Sequence, residues 1–175
     1  MSKEMYLFMF SGAPASGKST IAKAIATHFE VPYFARDDAQ RFLLQQGLVT
    51  ENTVHSYIWM LEMARVQLSV NVGCILDGVF GKQSFRDKAQ QIAQHFDAQF
   101  IPVHCFCSDV TLWKSRWYQR ATTNHPAHWN NPTWADVEQI ASRFEKWTHP
   151  DVIRLNTVNS VEMNVSKITN NLNFG

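Results

Sequence analysis

Short apolar runs alternate along the whole chain with longer stripes of apolar residues spaced three and four apart. The runs fall at Tyr6 to Phe10, Val31 to Phe34, Cys74 to Leu76, Gln99 to Phe106 and Val152 to Asn156, each followed by polar residues or glycine. Runs of that length and punctuation predict short buried strands. Between them the spacing changes to the helical period. Thr20 to Phe29 reads as a helix, and another is expected around Phe42 to Leu44. Val54, Ile58, Leu61, Ala64, Leu68 and Val72 form one helical stripe with Gly73 as its stop, and Val161, Val165, Ile168 and Leu172 form another that docks the tail. No repeat or low-complexity linker interrupts the series, so residues 1–175 read as one domain. Strands alternating with helices predict an α/β fold of three layers, a parallel sheet with helices on both faces. Such sheets bind ligands at the carboxyl ends of their strands.

The end of the first strand carries the strongest chemical pattern. Gly12-Ala13-Pro14-Ala15-Ser16-Gly17-Lys18-Ser19 fits G-x-x-x-x-G-K-[ST], directly between a strand and the helix that opens at Thr20. In such a loop successive backbone N–H groups converge on phosphates, the lysine bridges the outer two, and the serine hydroxyl ligates Mg²⁺. Gly12 through Thr20 are therefore expected to hold a nucleoside triphosphate, with Lys18 as the catalytic cation and Ser19 as a metal ligand. The N-K-x-D run that reads guanine is absent, which favours ATP over GTP.

Composition narrows the partners. The chain has 175 residues, enough to bury a core unaided, and a net charge of +1 that supplies no long-range field for nucleic acid. General nucleic-acid binding is not expected, although a local groove could hold an oligonucleotide end. Charged residues are only 18%, while Trp and Phe number 6 and 12. These aromatics suit a large core, or a surface covered in a homodimer, and leave monomer and homodimer both open. Cys74, Cys105 and Cys107 show no C-x-x-C spacing and sit on or beside predicted strands, as buried thiols of a cytoplasmic protein would. No apolar run approaches a membrane span.

Three polar constellations follow predicted strands. Arg36-Asp37-Asp38, with Arg41 beyond, follows the second. An aspartate here can accept the proton of an attacking hydroxyl, and the same residue type can merely cap a helix. Cys74-Ile75-Leu76-Asp77 ends the third strand in an acid that can serve Mg²⁺ or its waters, before Gly78-Val79-Phe80-Gly81. Arg116 and Arg120 lie four apart on one helical face, while Trp113 and Trp117 are expected in the core. Thr122 to Trp134 then runs without a charge, so a lid over about 113–134 is expected to close its arginines on the phosphates. His125 and His128 are not expected to bind zinc, because Pro126 breaks the helix their spacing would need.

Together these motifs resemble the small P-loop kinases of the adenylate-kinase-like fold, among them polynucleotide 5′-hydroxyl kinase, chloramphenicol phosphotransferase, zeta toxins and gluconate kinase. The resemblance runs from the P-loop through Asp37-Asp38, Leu76 to Phe80 with Arg86, the Arg116 and Arg120 pair, and Leu155-Asn156-Thr157. It implies strand order 2-3-1-4-5, and adenine held between a lid arginine, Arg116, and residues 156–159, including Thr157. It also implies Asp37 as the acceptor-activating base, with Asp38 in a capping or supporting role. Asp77, Phe80 and Arg41 would lie on the acceptor side. Where the polynucleotide kinases carry an arginine two residues after the acidic pair, this chain has Gln40, with Arg41 next. The implied reaction is transfer of the γ-phosphoryl group of MgATP to a hydroxyl, with Lys18, Asp37, Arg116 and Arg120 as its catalytic residues. Residues 36–46 and 51–65 are expected to wall the acceptor pocket, with Phe42, Tyr57, Trp59 and Arg65 as candidate walls.

Overall fold

The computed structural model describes residues 4–50, 54–122 and 133–172. Its strands are β1 (Tyr6–Ser11), β2 (Tyr33–Ala35), β3 (Cys74–Asp77), β4 (Gln99–Phe106) and β5 (Ile153–Asn156). Its helices are α1 (Lys18–Phe29), α2 (Arg36–Gln45), α3 (His55–Ser69), α4 (Gln83–His95), α5 (Val110–Ala121), α6 (Trp134–Ser142) and α7 (Val161–Leu172). The strands pair in parallel in the order β2-β3-β1-β4-β5, so the expected order holds and β1 lies at the centre.

Because side chains alternate across a strand, β1 feeds two cores. Leu7 and Met9 join Cys74 and Leu76 against α2, α3 and α4, through Ala39, Met60, Leu61, Ala64, Leu68, Ala89 and Ala93. Phe8 and Phe10 join Ile75, Val103, Cys105 and Leu155 on the other face, against Ile21, Ala22 and Ile25 of α1 and Ile168 of α7. The register then does the positioning. Phe10 and Ala35 both stand opposite Asp77, so β1, β2 and β3 end level and release their loops at one place.

Several expectations shift. The second strand starts two residues later than expected and ends one later, at Ala35, where α2 begins, so Asp37 and Asp38 stand in the first turn of that helix rather than before it. The stripe on α3 is also displaced. Val54 and Ile58 are exposed, and the buried face is built from Ser56, Met60, Leu61, Ala64 and Leu68. With apolar residues on nearly every face of α3, period alone could not select the inner one. Gly73 does not stop this helix. The reversal comes earlier, at Asn71 in the left-handed region (φ 60°). Gly73 instead lies flat against β1, where a Cβ would come within 2.6 Å of the Tyr6 carbonyl oxygen.

Candidate nucleotide and phosphoryl-transfer site

The loop from Gly12 to Gly17 turns tightly over the end of β4. Gly12 has φ 148°, and a Cβ there would stand 2.3 Å from the Cys105 carbonyl oxygen, so only glycine fits. Its N–H donates to Val79 O at 3.2 Å, while Gly78 N–H donates to Phe10 O at 3.2 Å. These two bonds stitch the P-loop to the loop that follows Asp77. From the other side the Trp113 indole N–H donates to Pro14 O at 2.8 Å. Lys18 is buried at the first turn of α1.

A cavity of about 440 Å³ opens between the P-loop, α5 and the loop after β5. Ala15, Gly17, Thr20, Arg116, Arg120 and Thr157 line it, as do Val158 to Val161. Thr157 is its hinge point. The hydroxyl donates to Ser16 O at 2.7 Å and accepts from Arg116 Nη1 at 2.9 Å, and Arg116 Nη2 donates to Thr157 O at 2.8 Å. Expected nucleotide contacts from α5 and from the β5 loop thus lie side by side. Gly12, Pro14, Lys18 and Ser19 do not line this cavity, whereas Ala13 and Ser16 line a second one.

At the level ends of β1, β2 and β3 the acids gather. Tyr33 donates its hydroxyl to Asp77 Oδ2 at 2.5 Å. Burial, and then the Asp77 carboxylate, push the Tyr33 hydroxyl far above its ordinary pKa, so it stays protonated, with the Ser19 side chain acting against that shift. Asp77 itself is buried, and its Oδ1 has no hydrogen-bond partner. A buried orphan carboxylate oxygen, on an acid that shares the Tyr33 hydroxyl with Ser19, is a donor set suited to a hard cation that takes one or two protein oxygens plus phosphate and water. The residues present therefore fit Mg²⁺. Arg120 is half-buried and feels the charges of the same point. Burial lowers its pKa, while the carboxylates of Asp37 and Asp77 and the Tyr33 hydroxyl act against that and the Arg116 charge adds to it.

Asp37 keeps an accessible carboxyl, 38% exposed, and pairs at 3.3 Å with Arg36, whose guanidinium lies 5.6 Å over the Tyr57 ring. Asp38 caps nothing. The N-cap of α2 is Ala35 with no side-chain cap, and Asp38 instead pairs with Arg41 at 2.8 Å on the helix surface. Both acids still sit in a first turn, where the helix dipole favours negative charge.

A family model described as an AAA domain matches residues 7–146. The chain belongs to this AAA domain family. It is 28% identical over 134 residues to the uncharacterized protein Rv2004c of Mycobacterium tuberculosis, a match covering 69% of this chain and 27% of that protein. The chain thus spans about a quarter of the length of that curated relative. Among solved structures, Kti12 of Chaetomium thermophilum in complex with ADP-AlF3 superposes with a TM-score of 0.75 at 15% identity, covering 95% of this chain and 96% of that one. A gluconokinase of Sinorhizobium meliloti gives 0.65 at 16%, covering 98% of each. The fold is that of the small P-loop kinases.

The residues expected to wall an acceptor pocket divide. Tyr57 packs between Phe80 and Phe85, at 5.2 and 4.9 Å between ring centres. Trp59 meets Phe34 edge-on and is part-exposed. Phe42 is exposed, and Arg65 is tied to Glu62 on the outer surface at 2.6 Å. Phe80 is fully buried with φ 44°, so its ring belongs to the core and presents no surface to a ligand. Trp117 is core as expected, whereas Trp113 is a P-loop contact. Tyr33, and Trp113 as a P-loop contact, were missed by the sequence reading. Nothing local in sequence marks them, since each acts on a residue brought near by the fold, whereas Arg36 pairs with its own neighbour Asp37. Residues 51–53 of the expected wall, residues 123–132 of the expected lid, and with them His125 and His128, lie outside the described residues.

Proposed function

We propose that this AAA domain transfers the γ-phosphoryl group of MgATP to a hydroxyl, borne by a small molecule or by a nucleic-acid 5′ end. The observation that carries the reading is the convergence of Asp37, Asp77 and Arg120 beside the P-loop, at the level ends of three parallel strands. Phosphoryl transfer asks a protein chiefly for positioning and charge compensation, and these residues supply both. Arg116 and Thr157 grip the nucleotide in the cavity. Lys18 and the P-loop amides hold its phosphates. Ser19 and Asp77 would hold Mg²⁺, which would supply charge neutralisation at the phosphates. Asp37 takes the proton of the acceptor hydroxyl as its oxygen bonds to the γ-phosphorus and the bond to the β–γ bridging oxygen breaks, releasing ADP. Arg120 offsets charge on the group in flight. Kinase neighbours and a neighbour that holds ADP-AlF3 support this reading at the level of fold. No described helix is long and apolar enough to cross a membrane, and a cytoplasmic setting suits the three unpaired thiols.

The test is ADP release from MgATP, alone and with nucleosides, 5′-hydroxyl oligonucleotides, sugars, sugar nucleotides, and aminoglycoside or phenicol antibiotics. Release should rise sharply with one acceptor class and vanish in Lys18→Ala, with Asp37→Asn slower by about 10²-fold or more. Acceptor-independent release that survives Asp37→Asn would identify an ATPase or switch instead.

A further inference from the structure

Successive residues of the P-loop face different cavities. Ala15 and Gly17 line the nucleotide cavity, while Ala13 and Ser16 line a second, of about 200 Å³, bounded also by the end of β4, Trp113 and the α6 segment. Asp37, Asp77 and Arg120 do not line it. It is therefore neither the nucleotide cavity nor the reacting centre, and the kinase reading gives it no task.

Its walls are apolar and aromatic. Trp113 gives its N–H to Pro14 O at 2.8 Å and leaves its ring as a wall, and Phe106, Phe144 and Ala141 supply others. The Cys107 thiol is spoken for, donating to Asp109 O at 3.2 Å. Two polar groups remain. Ser16 Oγ is buried without any partner. His104 is the other, and its neighbours fix its tautomer. Ser11 Oγ spends its one proton on Val103 O at 3.0 Å, so at 3.2 Å from His104 Nδ1 it must accept, which puts the ring proton on Nδ1. His104 Nε2 is then a bare acceptor. Burial first, then the charges of Arg154 and Arg86, hold the imidazole pKa down to about 4, so the acceptor persists at neutral pH. Phe106 stacks beside the imidazole at 6.5 Å and Phe144 packs against it at 4.8 Å, which fixes its plane.

We propose that this cavity behind the P-loop is a second ligand site, built for a small flat aromatic molecule carrying one N–H or O–H donor for His104 Nε2. An apolar cavity of about 150 Å³ is enough to take benzene, and this one has room for a fused bicyclic ring. The donor requirement follows from the bare imidazole nitrogen on the wall, because an acceptor that gives up water for a ligand without a donor costs binding energy. Among the described residues that line it there is no carboxylate, lysine or arginine, which argues against an ionic ligand.

The experiment is calorimetric titration of the full chain with indole, which has the donor, and with benzofuran, which has the same shape and lacks it. Indole should bind saturably, and benzofuran about 10-fold or more weakly. His104→Phe should bring indole down to the benzofuran level. Ala141→Phe, which fills the cavity from α6, should abolish indole binding while ADP binding persists. Equal binding of the two probes to the unaltered protein, or no saturable indole binding up to millimolar concentration, overturns the proposal without any variant having to fold. Indole binding that survives Ala141→Phe also overturns it, by placing the probe elsewhere.

Discussion

A histidine that gives up its charge on folding makes stability depend on pH. The His104 pKa falls from an ordinary 6.5 to about 4 in the folded protein, chiefly through burial and then through Arg154 and Arg86. Between those values the unfolded chain carries a proton that the folded chain does not. Protons therefore favour unfolding there, and stability is complete above about pH 6.5, declines as pH falls toward 4, and levels off below it. The full swing is ~3 kcal/mol at about 1.4 kcal/mol per pKa unit. His104→Gln should remove that slope. Urea unfolding from pH 4 to 7 would show it as a difference between the two proteins that narrows toward acid, and parallel curves would mean that His104 is not desolvated as the fold requires. At this scale the P-loop was legible because its chemistry is local: glycines, lysine and serine act within one turn. Tyr33 was not legible. Its hydrogen bond reaches Asp77, 44 positions away, and only the level ends of β2 and β3 bring the two together.

Elements meet the same limit in another form. Gly73 reads as a helix stop, yet what holds it is β1. A methyl group there would press on backbone atoms of Tyr6, 2.6 Å from the oxygen and 3.1 Å from the nitrogen, and neither can swing aside without moving the central strand. Gly73→Ala should cost about 1–3 kcal/mol by overpacking. Gly81→Ala is the control, since the nearest atom to its added carbon is a Val79 methyl at 3.6 Å, an ordinary contact. Denaturant midpoints for the pair should separate, and equal midpoints would show that β1 and the turn after α3 yield more than close packing permits. Strand existence was legible because each run is short, apolar and punctuated. The inner face of α3 was not, because Val54 and Ile58 share its period and only the packing of Met60 and Leu61 against the sheet decides between them.

At the scale of the molecule, the cavity proposed for the nucleotide is closed by one threonine that joins parts from three regions of the chain. Thr157 follows β5, takes a bond from Arg116 on α5, and gives one to Ser16 in the P-loop. The end of the last strand therefore ties the arginine to the phosphate loop, and strand order makes this possible by setting β4 alone between β5 and β1. Thr157→Val keeps the shape of the side chain and removes both hydroxyl bonds, while the Arg116 bond to the Thr157 carbonyl remains available. Losing a bond to a charged group is worth about 1.5–3 kcal/mol. MgADP affinity, read by calorimetry, should therefore fall by about 10- to 100-fold, while Asp37→Asn, which leaves the cavity intact, should bind MgADP as the unaltered protein does. If Thr157→Val binds MgADP undiminished, the Arg116 bridge is a structural strut and the nucleotide grip must rest on the P-loop alone. If Asp37→Asn loses affinity to the same degree, the acid acts on the nucleotide, and its assignment to the acceptor hydroxyl fails.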